Sequence, residues 1–234
     1  MTNPMIHRHR DVQGGAARAA VFGVSDGIVS NVALILGIAG ASTDPAFVRV
    51  AGVSGLLAGA VSMAAGEYIS LKAQAELVER ELEIERTSIA EDLEGETAEL
   101  AALFVHRGLT AEHAERVAAE LMSDPEVALE IHAREELGVD PNQLGSPVSA
   151  ALSSFSAFAL GAFVPLIPWL LGGGDGAVWA SAVLGVTAAA VVGAVLARLT
   201  ERSVLRTVAR QVLVAAGACT ATYLIGGMLG ASVT

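Results

Sequence analysis

Asp26 stands in Phe22-Gly23-Val24-Ser25-Asp26-Gly27, a carboxylate inside an otherwise uncharged apolar run. A charge there costs about 3 kcal/mol on insertion scales, so such a residue either lines a polar path or sits at a membrane interface. Ser30 and Asn31 follow within about one to one and a half turns and gather polar atoms on the same side, which favours the path. A second apolar run carries different chemistry. Gly59, Met63 and Glu67 recur four residues apart and share a helix face. Met63 offers a thioether, a soft donor suited to a transition metal rather than to calcium or magnesium. The same spacing also suits a methionine that only fills space. Glu67 adds a hard anionic oxygen one turn further along.

The third set of residues is acidic. Nineteen of the 25 Asp and Glu residues fall between Glu76 and Asp140. Glu81 and Glu85 are one turn apart, Glu96 and Glu99 three residues apart, and His132 lies one turn before Glu136. Carboxylates gathered from several helices would bind divalent cations and repel one another without them. For any single glutamate a solvated face is the default.

Several classes are excluded. A net charge of −11 argues against nucleic acid, which needs clustered Lys and Arg. Cys219 is the sole cysteine, so neither an internal disulfide nor a Cys-based metal site can form. No histidine has a Glu three residues before it, so the Glu-x-x-His pattern of a di-iron enzyme is missing. Neither catalysis nor an organic cofactor is expected.

These residues must be positioned by helices in a membrane. Apolar residues make up 53% of the chain and charged ones only 17%, well below soluble proteins. A spanning helix needs about 20 apolar residues. Five segments qualify: Ala17 to Ala41, Phe47 to Leu71, Val148 to Leu171, Ala177 to Leu199 and Val204 to Leu229. Thirteen of the 14 Lys and Arg residues then fall on one face, with Arg49 alone on the other. The positive-inside rule makes that face cytoplasmic. The N-terminus and acidic region are expected there, and the C-terminus opposite. The polar, basic start shows no cleavable signal pattern.

The expected fold is therefore an all-α integral membrane protein of five spans, with a cytoplasmic helical acidic module between spans 2 and 3. Its parts are a tail (1–16), spans 1–2 (17–75), the module (76–146) and spans 3–5 (147–234). The second span should continue as a helix to Arg86, with Leu77, Ile84 and Ile89 as its apolar stripe. Further helices are expected from Gly95 to Arg107, from Thr110 as N-cap, and from Pro125 to near Gly138. Leu93, Leu100, Leu103, Phe104, Val117, Leu121, Leu129 and Leu137 are the expected module core.

At these residues the chain resembles the vacuolar iron transporter family. The matching pieces are Ser25-Asp26-Gly27, the run from Gly59 to Tyr68, the acidic helix from Glu79 to Arg86, Glu136-Leu137-Gly138, and the run from Gly161 to Pro168. The resemblance implies a homodimer that exports Fe²⁺ or Mn²⁺ from the cytosol in exchange for protons, with the path between subunits. It implies that Asp26 and Met63 line the path, joined on position by Glu67 and Asn31. Glu85, Glu96, Glu99 and Glu136 would be module ligands, with Glu81 as a further candidate. Two departures stand out. Ser88 replaces a further Glu of many members, and His132-Ala133 replaces a Met pair of some, which makes His132 a candidate substitute ligand. The expected location is a bacterial-type plasma membrane, with lipid and divalent ions as partners. The rival reading is a membrane-anchored metal sensor or scaffold without transport.

Overall fold

The computed structural model describes residues 15–140 and 145–231. Residues 1–14 of the expected tail, with His7 and His9, and the short stretch 141–144 lie outside the described residues. The described residues form eight helices and no strand. These are α1 (Gly15–Ala41), α2 (Pro45–Glu91), α3 (Leu93–His106), α4 (Ala111–Leu121), α5 (Pro125–Glu135), α6 (Pro147–Leu171), α7 (Asp175–Leu199) and α8 (Val204–Ala231). Five of them (α1, α2, α6, α7 and α8) are long and apolar enough to cross a membrane. The chain divides into two compact units: Met1–Ile69 with Gly145–Thr234, and Ser70–Leu144.

Local chemistry explains the helix ends. Asp44 Oδ1 accepts from the Ala46 amide at 2.8 Å, and Pro45 opens α2 where a missing N–H is harmless. Gly174 precedes α7 at φ +75°, a left-handed conformation that glycine adopts without strain. Ser146 caps α6 through the Ser149 amide, again with a proline next.

In the first unit, α1 packs against α6, α7 and α8. The α1–α6 contact is close enough to require glycine on both sides. A Cβ at Gly27 would lie 2.3 Å from the Phe158 carbonyl oxygen, and one at Gly161 would lie 2.4 Å from that of Val24. Such small-residue contacts let membrane helices meet by van der Waals packing. Pro165 and Pro168 lie within α6, each removing a backbone donor. The end of α6 is held by Arg49, whose Nε and Nη2 donate to the carbonyls of Trp169 (2.5 Å) and Gly172 (2.8 Å). Arg49 thus caps a helix C-terminus, where positive charge is favoured. The first part of α2 leaves Val50, Val53, Leu57 and Val61 exposed.

In the second unit, the core consists of Ile89, Leu100, Ala101, Ala114, Ala118, Met122 and Ala128. Leu93, Val117 and Leu137, expected inside, are exposed, as are Leu77 and Ile84 of the expected stripe. The physical reason is size. Helices α4 and α5 have only 11 residues each, and alanines at the contacts let their backbones approach. Bulkier residues are left at the rim. Asp92 caps α3 by accepting from Gly95 N, so this helix begins two residues before Gly95. Gly108 and Gly138 take positive φ after α3 and α5.

Candidate metal centre and membrane cleft

Three helices bring four ligand-bearing side chains together. Glu85 comes from α2, Glu96 from α3, His132 from α5, and Glu136 from the residue that ends α5. One ligand atom from each lies within 4.8 Å of all the others. His132 is completely buried, and its Nδ1 lies 2.8 Å from both Glu85 Oε1 and Glu136 Oε1, and 3.8 Å from Glu96 Oε2. The hydrogen bond goes to Glu136. Glu85 Oε1 is left buried without a hydrogen-bond partner despite the short approach, because its geometry does not suit a ring N–H.

The electrostatics match this crowding. Burial pushes the Glu85 carboxyl above its ordinary range. Glu136 pushes it the same way, His132 opposes, and Glu96 and Glu99 add to the rise. Glu96 is likewise raised, first by burial, with His132 opposing and Glu99, Glu136 and Asp92 adding. Such a cluster of carboxylates and an imidazole, sheltered from water, has the donor set that could hold a cation. Six-coordinate oxygen-rich sites suit Mg²⁺, Ca²⁺ and Mn²⁺, and an added imidazole suits iron and later metals.

Of the expected module residues, Glu81 and Glu99 do not join these four. Glu99 is exposed but near enough to act on Glu85 and Glu96 through charge. The neighbouring Glu135 is engaged elsewhere, in an ion pair with Arg107.

A second polar cluster lies among the apolar helices. A cleft of about 240 Å³ between α1, α2 and α6 is lined by Asp26, Ser30, Asn31, Gly55, Ser62 and Met63, with Phe158 closing one side. Asn31 is buried, and its Nδ2 donates to the Ala162 carbonyl at 2.7 Å. That bond fixes the amide, leaving Oδ1 buried without a partner. It lies so near α2 that a Cβ at Gly55 would come within 2.8 Å of it. Glu67 is not among the lining residues. Its side chain is mostly buried and pairs with Arg18 at 3.4 Å. A larger hollow of about 500 Å³ between α1, α7 and α8 is mainly apolar, with Asp175 its one acidic lining residue.

The VIT family model matches residues 17–227. The chain belongs to the VIT family. Among curated relatives, a vacuolar iron transporter of Acanthamoeba castellanii is 36% identical over 162 residues, covering 68% of this chain and 58% of that protein. Vacuolar iron transporter 1 of Arabidopsis thaliana is 32% identical, covering 68% of this chain and 63% of its own length. Vacuolar iron transporter 1 of Eucalyptus grandis is 28% identical over 223 residues, covering 94% and 90%. The chain thus spans less than two thirds of the first two relatives. VIT-family proteins are transporters rather than enzymes, and this VIT-family chain is a membrane protein with five apolar helices of spanning length.

Sequence reasoning missed one polar contact of this VIT-family chain. Gln211 of α8 donates through Nε2 to Ser25 Oγ, beside Asp26. Its signal was available, since an amide in an apolar helix calls for a partner. The roles of Gly55 and Gly59 were not legible, because they depend on which side chains face them: Asn31 and Leu34 for one, Phe158 for the other.

Proposed function

We propose that this protein moves Fe²⁺ or Mn²⁺ out of the cytosol by proton antiport, with the carboxylate centre capturing the ion before it enters the membrane path. The observation that carries this reading is the convergence of Glu85, Glu96, His132 and Glu136 in a chain of the VIT family. The names of its relatives support iron as cargo. The acidic unit is cytoplasmic in this proposal, as are the N-terminus and the other Lys- and Arg-rich ends, with the C-terminus opposite, in a bacterial-type plasma membrane.

The path runs past Asp26, Asn31 and Met63. Asp26 supplies the one anionic oxygen of the cleft, Met63 a soft thioether and Asn31 a neutral oxygen. One negative charge attracts a divalent ion without trapping it, and protonation of Asp26 from the far side would complete release. Glu67 acts at the entrance, where its pairing with Arg18 would be exchanged for the ion. The protein works as a homodimer in this proposal, and the bare apolar face of α2 beside the cleft supports a second copy there.

The test is transport in proteoliposomes. Fe²⁺ and Mn²⁺ should accumulate in sealed vesicles, faster with a pH gradient, and Asp26→Asn should abolish accumulation while leaving metal binding intact. Binding without accumulation by the wild type would instead favour a sensor or scaffold. Accumulation by Asp26→Asn at the native rate would remove Asp26 from the path.

A further inference from the structure

We infer that His132 sets the metal preference of the capture site, biasing it towards Fe²⁺ and later transition ions and against Mn²⁺, Mg²⁺ and Ca²⁺. The inference rests on the reading that Glu85, Glu96 and Glu136 hold the cargo, and it names which cargo they hold best.

The geometry begins with a mismatch between donors and acceptors. Two carboxylate oxygens, from Glu85 and Glu136, each lie 2.8 Å from the same nitrogen, His132 Nδ1. A ring nitrogen carries at most one hydrogen, so it can satisfy only one of them. Glu136 takes it, and Glu85 Oε1 stays buried with no donor. A buried anionic oxygen without a partner is costly and calls for an explanation. A divalent ion among these atoms supplies one: it would take both oxygens and receive the Nδ1 lone pair.

The second nitrogen points the same way. His132 Nε2 is buried and has no hydrogen-bond partner. A histidine kept for structure would be expected to use both nitrogens. This one directs a single nitrogen at three carboxylates and leaves the other buried with no partner. A neutral imidazole is the form that ligates metal.

Chemistry then gives the direction of the preference. Carboxylates alone favour Mg²⁺, Ca²⁺ and Mn²⁺, which are hard ions, whereas imidazole strengthens binding along the order Mn²⁺ < Fe²⁺ < Co²⁺ < Ni²⁺. His132 thus adds a borderline donor to the oxygen set without adding charge. Attraction to every divalent ion is left to the three glutamates, and discrimination falls to the imidazole.

The experiment uses full-length protein in nanodiscs under anaerobic conditions. Pulsed EPR of bound Mn²⁺ should show coupling to one ¹⁴N nucleus of imidazole type, a measurement that needs no variant. Competition between Fe²⁺ and Mn²⁺ should show Fe²⁺ preferred by the wild type. In His132→Gln, Fe²⁺ affinity should fall roughly 10- to 100-fold, the range seen when metal-site partners are lost, with a smaller loss for Mn²⁺. Mn²⁺ bound without nitrogen coupling, or an unchanged Fe²⁺/Mn²⁺ ratio in a folded His132→Gln protein, would overturn the role of His132 alone. Absence of saturable Mn²⁺ binding by the wild type would overturn the capture site, and this inference with it.

Discussion

The two polar clusters of the chain differ in how much charge they hold and how it is balanced. The module cluster joins three carboxylates and an imidazole within 4.8 Å, and its carboxyls are raised by burial and by one another. The membrane cleft offers one carboxylate, one amide and one thioether around about 240 Å³. Under the proposed function, this difference would amount to a division of labour. Dense charge holds an ion and collects it from dilute solution. Sparse charge in a low-dielectric setting can pass an ion on, because each added carboxylate would both cost insertion energy and deepen the well.

If that division holds, the largest effect comes from removing charge where it is densest. Glu85→Gln with Glu136→Gln should weaken Fe²⁺ and Mn²⁺ binding by roughly two to four orders of magnitude, since each charged contact contributes about 1.5–3 kcal/mol. Calorimetric titration of the purified protein measures this. Transport at saturating metal should persist. A double variant that bound normally would end the comparison.

The cleft should answer in the opposite way. Asn31→Leu removes a neutral oxygen and the bond to Ala162. A neutral contact contributes about 1 kcal/mol, so transport should slow roughly fivefold while titration of the module is unchanged. Gly55→Ala sharpens the point, because its methyl would press on both Leu34 and Asn31 Oδ1 without changing any polar group. Slowing in both variants would identify Oδ1 access as the cause; slowing in neither would take Asn31 out of the path.

The same two regions were unequally legible in the sequence. Spans are readable because length and apolar content are intrinsic to a segment, and all five appear where apolar runs placed them. The module's interior was misread because Leu93, Val117 and Leu137 look like core while Ala114, Ala118 and Ala128 do not. In short helices the contact is chosen by how closely backbones can approach, which a list of large residues does not reveal. Glu85 and Glu81 could not be separated by spacing either. They share a face of α2, and only the packing of α3 and α5 decides which one meets His132. Glu67 shows the same limit in the membrane unit, where its pairing with Arg18 depends on how α1 lies against α2.

Smaller effects test whether the clusters are independent of their scaffolds. Arg49→Leu removes two charged hydrogen bonds at the end of α6, in which no residue of either cluster takes part. It should lower stability by about 1–2 kcal/mol, read as a reduced melting temperature, with metal binding unaltered. A loss of binding would mean that the capture site depends on this cap.

The smallest expected effect concerns pH and distinguishes a strained module from a relaxed one. Glu85 and Glu96 have carboxyls raised above the ordinary value, chiefly by burial. A group whose folded value exceeds its unfolded value favours the folded state when protonated, and that contribution is lost as pH rises through the folded value. Metal-depleted protein should therefore gain stability in the module as pH falls from neutral towards the ordinary carboxylate range. Both side chains retain some exposure, so solvent screening keeps the gain modest. Slower amide exchange in α3 and α5 at mildly acid pH is the expected reading, and Glu85→Gln should flatten the dependence. Exchange that instead quickened on acidification would mean that these carboxylates are stabilised as anions by their surroundings. The module would then hold its shape without a cation, and its contrast with the membrane cleft would rest on charge count alone.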